Sequence, residues 1–208
     1  MELELFNFID ETIKYYELKK PSFTYVEGQL VSLFKEVAGE SSDTLLSVKS
    51  RVKSSESLRE KLIRNRFYLN YTTPEEALKN LTDLIGVTFE CRFIRNEVEL
   101  YHSLFTYFED EGKIFSKYRK NPDVYLNLHM AQPQTQRNGF TIYRIDGFYL
   151  FNGERINFEL QIKSLVHTFW SEIEHEVVYK NPDFVMYDSF NRNMLGAIRD
   201  NLDVVDRQ

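Results

Sequence analysis

The sequence predicts an α+β domain, a mixed β-sheet flanked by helices, on three observations. Stretches that alternate apolar and polar residues are interspersed with stretches whose apolar residues recur at helical spacing, as in LIGVTFECRF and NEVELYHSLFTYFEDE. Two alternating stretches, near 140–151 and 154–163, meet at Asn152-Gly153, the dipeptide of a tight hairpin turn. A hairpin among interspersed strands and helices favours a mixed sheet over a purely parallel one.

Each element follows from local pattern. Leu5, Ile9, Ile13 and Tyr16 set a first helix over 3–19, which Pro21-Ser22 is expected to break. A second helix is expected from Thr24 to Val37, stopping at Ala38-Gly39, and Ser41, Ser42 and Asp43 supply turn chemistry. LLSVKSRV alternates and reads as a short strand. Ser54-Ser55-Glu56-Ser57 opens a helix to about residue 68, with Leu58 and Leu62 on its buried side. Thr73-Pro74-Glu75-Glu76 starts another, running toward Asn80. Residues 84–93 form the clearest strand, with Val87, Phe89, Cys91 and Phe93 on one face and Thr88, Glu90 and Arg92 on the other. The helix after it carries the stripe Val98, Tyr101, Leu104, Phe105 and Phe108. Beyond the hairpin, the helix containing Trp170 is expected to bury Leu165, Phe169, Ile173 and Val177 and to end at Asn181-Pro182. The tail from 186 is expected to be helical. The organisation is then N-terminal helices over 1–45, a central domain over 46–185 and a C-terminal helix over 186–208.

Bulk properties narrow the partners. A hydrophobic content of 42% with 15% aromatic residues supplies a proper core. The single cysteine, Cys91, excludes an internal disulfide and a cysteine-based zinc site, and a reducing cytoplasm is expected. No run of about 18 apolar residues is present, and the N-terminus is acidic and amphipathic, so neither a signal peptide nor a membrane span is expected. A net charge of -6 argues against bulk binding of long nucleic acid. The charge is uneven, however. KSRVKSSESLREKLIRNR, residues 49–66, is dense in Lys and Arg, and Lys113–Lys120 forms a second basic cluster. A local basic patch on an acidic chain suits a small phosphorylated ligand.

Five constellations carry chemistry. Arg51 and Lys53 point the same way from an extended segment, and Ser57, Lys61 and Arg64 share one helical face, so that cations converge as a triphosphate clamp would require. Asp83, at the start of an apolar strand, is placed to hold Mg²⁺. Glu159 and Gln161 share the polar side of an otherwise apolar strand, where Glu159 could add a second carboxylate or take a proton from a hydroxyl. Asn138-Gly139-Phe140, with Tyr143 nearby, could present a ring to a base. Glu174, His175, Tyr179 and Lys180 group on a helix. Taken singly, each has a plainer reading: a solvated basic face, a capping aspartate, a solvent-facing strand side, a hairpin turn, a structural histidine. The gap between His167 and His175 does not fit a helical zinc motif, and no Walker-type glycine loop, GxSxG or GxGxxG is present.

The order RVKSSESLREKLIR, DLIGV, NGF, ELQIK and FWSEIEHEVVYK resembles the synthetase domain of the RelA/SpoT family over about residues 47–181. The short chain resembles a stand-alone small alarmone synthetase with a nucleotidyltransferase-like synthetase fold, and without a hydrolase domain degradation of the product is not expected. The resemblance implies that Arg51, Lys53, Ser57, Lys61 and Arg64 grip ATP phosphates and that Asp83 and Glu159 hold Mg²⁺. It implies an acceptor pocket of Asn138, Phe140 or Tyr143, Gln161, Lys163, His175 and Lys180, supported by Glu174. The implied reaction moves the β,γ-pyrophosphate of ATP to a ribose 3′-hydroxyl. This chain departs from the family pattern at Thr88, where an arginine is usual, with Arg92 the next cation along that strand face. It departs also in the loop from Pro133-Gln134 to Phe140 and at Lys163, which keeps the charge but not the fork of arginine. These changes fall on base recognition, which leaves the acceptor open: GDP or GTP, giving (p)ppGpp, or the 3′ end of tRNA in a toxin-type member with an antitoxin. A nucleotide-binding domain without turnover is a third reading, and a homo-oligomer is compatible with all three.

Overall fold

The computed structural model describes residues 2–39, 44–135 and 141–174, together with 196, 197, 200, 201 and 204, the last five all helical. The first element is a single helix, α1 (Glu2–Gly39), where the sequence predicted two. Pro21 sits inside it, on the exposed side. An interior proline costs about 3 kcal/mol or more. Ile9, Tyr16, Phe23, Val26, Leu30, Phe34 and Val37 are all buried on both sides of it, and each buried apolar side chain contributes about 1.5–3 kcal/mol. Packing along one continuous face outweighs the break.

Strand β1 (Leu45–Val52) leads to α2 (Ser55–Arg64), whose first turn is capped by Ser54 accepting from the Ser57 N–H. The helix stops earlier than its sequence suggested, because Arg66 adopts a left-handed conformation (φ 51) and α3 (Phe67–Asn70) turns Phe67 into the core. Thr73 caps α4 (Pro74–Lys79) as its sequence suggested. Strand β2 (Ile85–Cys91) and helix α5 (Ile94–Tyr107) follow. The buried face of α5 is Asn96, Glu97, Leu100, Leu104 and Tyr107, whereas Val98 and Phe105 are exposed. The apolar stripe misled because a carboxylate is satisfied inside: Glu97 Oε1 accepts from the Ser164 N–H at 2.5 Å and lies 2.6 Å from His167 Nδ1.

Four short strands, β3 (Phe108–Glu109), β4 (Ser116–Tyr118), β5 (Val124–Leu126) and β6 (Gln134–Thr135), precede the long hairpin of β7 (Thr141–Phe151) and β8 (Glu154–Ser164). Asn152 (φ 52) and Gly153 (φ 77) make its turn, the left-handed pair that a two-residue hairpin demands. Helix α6 (Leu165–Glu174) buries His167 and Trp170, while Leu165 and Phe169 of the expected stripe are exposed. The Glu97–His167 contact fixes this orientation; Val177 lies outside the described residues.

The sheet runs β1-β2-β8-β7-β5-β4-β3, with β6 pairing β7 off this path. Among the described residues only β2 and β8 pair in parallel; the other pairings are antiparallel. Alternation gives the central strands one apolar face, Val87, Phe89, Leu160, Ile162 and Ile145, against which α1 and α5 pack. Phe34 of α1 meets Phe89 and Phe158 edge-on, at 5.5 and 5.9 Å. The opposite face is polar. No helix among the described residues is long and apolar enough to cross a membrane.

Candidate active site

The polar face is ordered by strand register into rows. Arg51 on β1 pairs with Gly86 on β2, Gly86 with Glu159 on β8, and Glu159 with Asp146 on β7. The next row is Lys49, Thr88, Gln161 and Arg144, and the third contains Ser47, Glu90 and Lys163. Residues 30 to more than 100 apart in sequence are thus brought within a few strand spacings of about 4.8 Å. Because Gly86 lacks a side chain, Arg51 lies across β2: a Cβ there would stand 3.6 Å from its Cγ and Nε.

At one end of this face, just before β2, Asp83 joins two elements. Its Oδ2 accepts from Lys53 Nζ at 2.9 Å and its Oδ1 lies 2.7 Å from Lys61 Nζ on α2. Burial opposes ionisation of Asp83, but hydrogen bonds from Lys61 and Lys53 outweigh it and hold the carboxyl below its ordinary range. Lys53 is itself positioned by its backbone, which donates to Leu84 O and accepts from the Tyr16 hydroxyl of α1. Burial and the charge of Glu17 push Tyr16 up to about 12, so that hydroxyl keeps its proton. Lys61 is half-buried, and Arg64, one turn further along α2, is exposed. Ser57 is exposed and belongs to the helix cap through Ser54.

Glu159 is 7% exposed and held on both sides: Arg144 Nε lies 2.6 Å from Oε2, and Gln161 Nε2 donates to Oε1. Gln132 and Gln134 fix Arg144 in turn, through hydrogen bonds of 2.6 and 3.0 Å to its carbonyl. At the far end Glu90 takes Ser47 and Lys49, at 2.9 and 2.8 Å. Lys163 reaches Ser171 of α6 at 3.5 Å, and burial lowers its pKa despite the opposing charge of Glu159. Arg92 lies exposed just past the end of β2, on the Lys163 side and away from Asp83.

The polar face therefore brings together Arg51, Lys53, Lys61, Asp83, Glu159, Gln161 and Lys163. Tyr143 departs from them. It pairs with Ile162, is buried on the apolar face and packs on Tyr101 of α5 at 5.0 Å, so alternation along β7 turns it away from any ligand on the polar side. Asn138, Phe140, His175 and Lys180 lie outside the described residues, as does the side chain of Glu174. The sequence reading missed Asp146. Its signal was present: counting outward from the Asn152-Gly153 turn sets residue 146 opposite 159, and Arg144 and Asp146 alternate with apolar neighbours as Glu159 and Gln161 do.

The donor set suits a hard cation. Carboxylate oxygens are the protein ligands that Mg²⁺ takes, one or two at a time, with phosphate and water completing its shell. Among the described residues no three His, Cys, Asp or Glu side chains are grouped to hold a metal by themselves.

An α+β sheet with cations facing carboxylates across a polar floor is the framework of a domain that handles phosphorylated ligands. Residues 50–183 match the family described as the region found in RelA/SpoT proteins, and the chain belongs to that family. GTP pyrophosphokinase YwaC of Bacillus subtilis (strain 168) is 28% identical over 139 residues, which cover 64% of this chain and 57% of that protein's length. In fold, the chain is similar to small alarmone synthetase 1 from Bacillus subtilis bound to its product pppGpp, with a TM-score of 0.65 and 20% identity over 93% of each chain. It is similar also to a GTP pyrophosphokinase family protein from Streptococcus pneumoniae, with a TM-score of 0.65 and 21% identity, covering 91% of this chain and 89% of the other.

Proposed function

We propose that this protein is an ATP-dependent pyrophosphokinase that transfers the β,γ-pyrophosphate of ATP to the ribose 3′-hydroxyl of GDP or GTP, making (p)ppGpp in the cytoplasm. The observation that carries the reading is the row of cations, Arg51, Lys53 and Lys61, set against Asp83 and Glu159 on one polar sheet face in a chain of this family. Arg51, Lys53, Lys61 and Arg64 hold the phosphate oxygens, the arginines as forks and the lysines as point charges. Gln161 and Lys163 orient the acceptor. The 3′-oxygen bonds to the β-phosphorus, the bond from that phosphorus to the bridging oxygen of the α-phosphate breaks, and AMP leaves. The hydroxyl proton passes to Glu159. Asp83 and Glu159 would hold Mg²⁺, which when bound offsets phosphate charge. Positioning and electrostatics supply most of the acceleration in phosphoryl-type transfer, and the site's stock of fixed charges suits that demand.

Against the tRNA reading stands the pairing of two of the four cations in its basic cluster: Lys113 binds Glu111 at 2.8 Å and Lys120 binds Glu36 at 2.5 Å. The test is label transfer from γ-labelled ATP with Mg²⁺ to GDP, GTP and deacylated tRNA in separate reactions. Label on guanosine nucleotides with AMP release is expected. Label on tRNA alone would replace the acceptor, and no transfer from folded protein that still binds ATP would overturn the activity.

A further inference from the structure

The chain passes from β8 into α6 without a loop: the strand ends at Ser164 and the helix begins at Leu165. So abrupt a turn needs its first helical turn held, because the N–H groups there have no partner within the helix. Ser164 supplies half of a capping box, its hydroxyl accepting from the His167 N–H at 3.3 Å. The other half calls for a Glu or Gln at the third helical residue, reaching back to the N–H of the cap. His167 occupies that position, so the acceptor must come from elsewhere. Glu97 of α5 brings it: Oε1 accepts from the Ser164 N–H at 2.5 Å and lies 2.6 Å from His167 Nδ1, so His167 binds the borrowed carboxylate. Both side chains are buried.

An apolar pair of similar volume often fills such a space at least as stably as a buried acid with its charged or polar partner. What the pair adds is direction. The N–H that Glu97 takes belongs to the peptide that follows Lys163, and the carbonyl of that same peptide lies 3.5 Å from Cys91 Sγ on β2. The main chain at Lys163 is thus held on both sides, while its ammonium runs over the polar face to Ser171, one turn along α6 from His167, at 3.5 Å. Glu97 also acts on Lys163 by charge. With Glu159 it opposes the effects of burial and of Arg51 on that ammonium.

We propose that Glu97 and His167 are positioning residues for Lys163: between two helices they complete the capping box that aims this lysine at the acceptor nucleotide. The inference rests on the pyrophosphokinase reading in taking Lys163 as an acceptor contact, and it adds the buried pair that sets it.

The test is calorimetric binding of GDP and of α,β-methylene ATP to the full chain, separately and with Mg²⁺ present. His167→Gln moves the side-chain donor from the place of Nδ1 to that of Nε2, whereas His167→Asn keeps it at Nδ1. His167→Gln is expected to weaken GDP binding at least tenfold with analogue binding within about twofold, and His167→Asn to return GDP binding to within about threefold. Glu97→Asp withdraws the carboxylate by one methylene and keeps its charge; it is an independent break, expected to match His167→Gln, and carries the test where that variant does not fold. Added to Lys163→Met, His167→Gln is expected to weaken GDP less than about twofold further, because residues that act as a unit do not add. GDP affinity unchanged in folded His167→Gln and Glu97→Asp, with Lys163→Met weakened, would overturn the inference and leave Lys163 in its role. GDP and analogue affinities that fall together, or a full further loss in the double variant, would give the pair to folding alone and overturn it too. A chain that binds the analogue but not GDP, or whose GDP affinity Lys163→Met leaves unchanged, would overturn both the inference and the acceptor reading beneath it.

Discussion

Asp83 shows how one side chain ties stability to chemistry. It neutralises two lysines from different elements, and its carboxyl is held below the ordinary range against the opposing effect of burial. Asp83→Asn should lower unfolding free energy by about 1.5–3 kcal/mol, the usual worth of hydrogen bonds to a charged group. The sign of the pH dependence follows from the lowered pKa. Stability from Asp83 is fully present above the unfolded value of about 3.9 and is lost as pH falls through the folded value beneath it. Urea denaturation should therefore find a constant gap between the two proteins at pH 5–8 that closes below about pH 4. AMP release with any acceptor should fall at least ~100-fold in the same variant, since a fixed electrostatic partner of the phosphates is mis-set; retained turnover would refute the role of Asp83. Gly147 tests packing alone. A Cβ there would lie 2.5 Å from Phe158 Cζ and 2.7 Å from Tyr125 O, the latter a backbone atom that cannot swing aside. Gly147→Ala should cost about 1–3 kcal/mol by overpacking, read as a lower urea midpoint at unchanged slope.

At the scale of elements, α1 sets local propensity against packing. Pro21 removes one intrahelical donor yet lies on the exposed side of a helix buried before and after it. Pro21→Ala should restore that hydrogen bond and raise stability by about 1–2 kcal/mol, the helix penalty of about 3 kcal/mol being partly offset by the freer unfolded chain. A thermal midpoint that falls would mean the proline sets a bend the core needs. The same conflict explains what the sequence did and did not reveal. β2, β7 and β8 were legible because alternation over seven or more residues and an Asn-Gly turn are strong local signals. β3 to β6, two or three residues each, are too short to alternate, and pairing with one another and with β7 makes them. The faces of α5 and α6 were misread because Glu97 and His167 satisfy each other inside, a contact between helices that no local count of apolar residues contains. Within the site, Glu159 and Gln161 stood out as polar residues on an apolar strand, whereas Asp146 emerges only when the hairpin register is counted. Tyr143 failed for the complementary reason: its face is fixed by the strand period, whatever its ring could stack on.

The whole molecule acts as a press that holds a polar floor flat from behind. The floor depends on the parallel pairing of β2 with β8, two strands more than sixty residues apart, which sets Gly86 beside Glu159 and Thr88 beside Gln161. Such a pair gains nothing from a local turn and must be secured by its back face. Phe34 is fully buried there and touches both strands at once through Phe89 and Phe158. Phe34→Ala should cost about 3–5 kcal/mol, from lost burial and the cavity left behind. The ladder itself uses backbone hydrogen bonds, which the substitution spares, so register should survive wherever the chain stays folded. Two readings then separate. If the front face depends on the back only through folding, α,β-methylene ATP should bind folded Phe34→Ala within about threefold of the unaltered chain, while urea stability drops by the full amount. If affinity falls tenfold or more in protein that remains cooperatively folded, the floor is not flat without Phe34, and α1 is part of the site's geometry as well as its support.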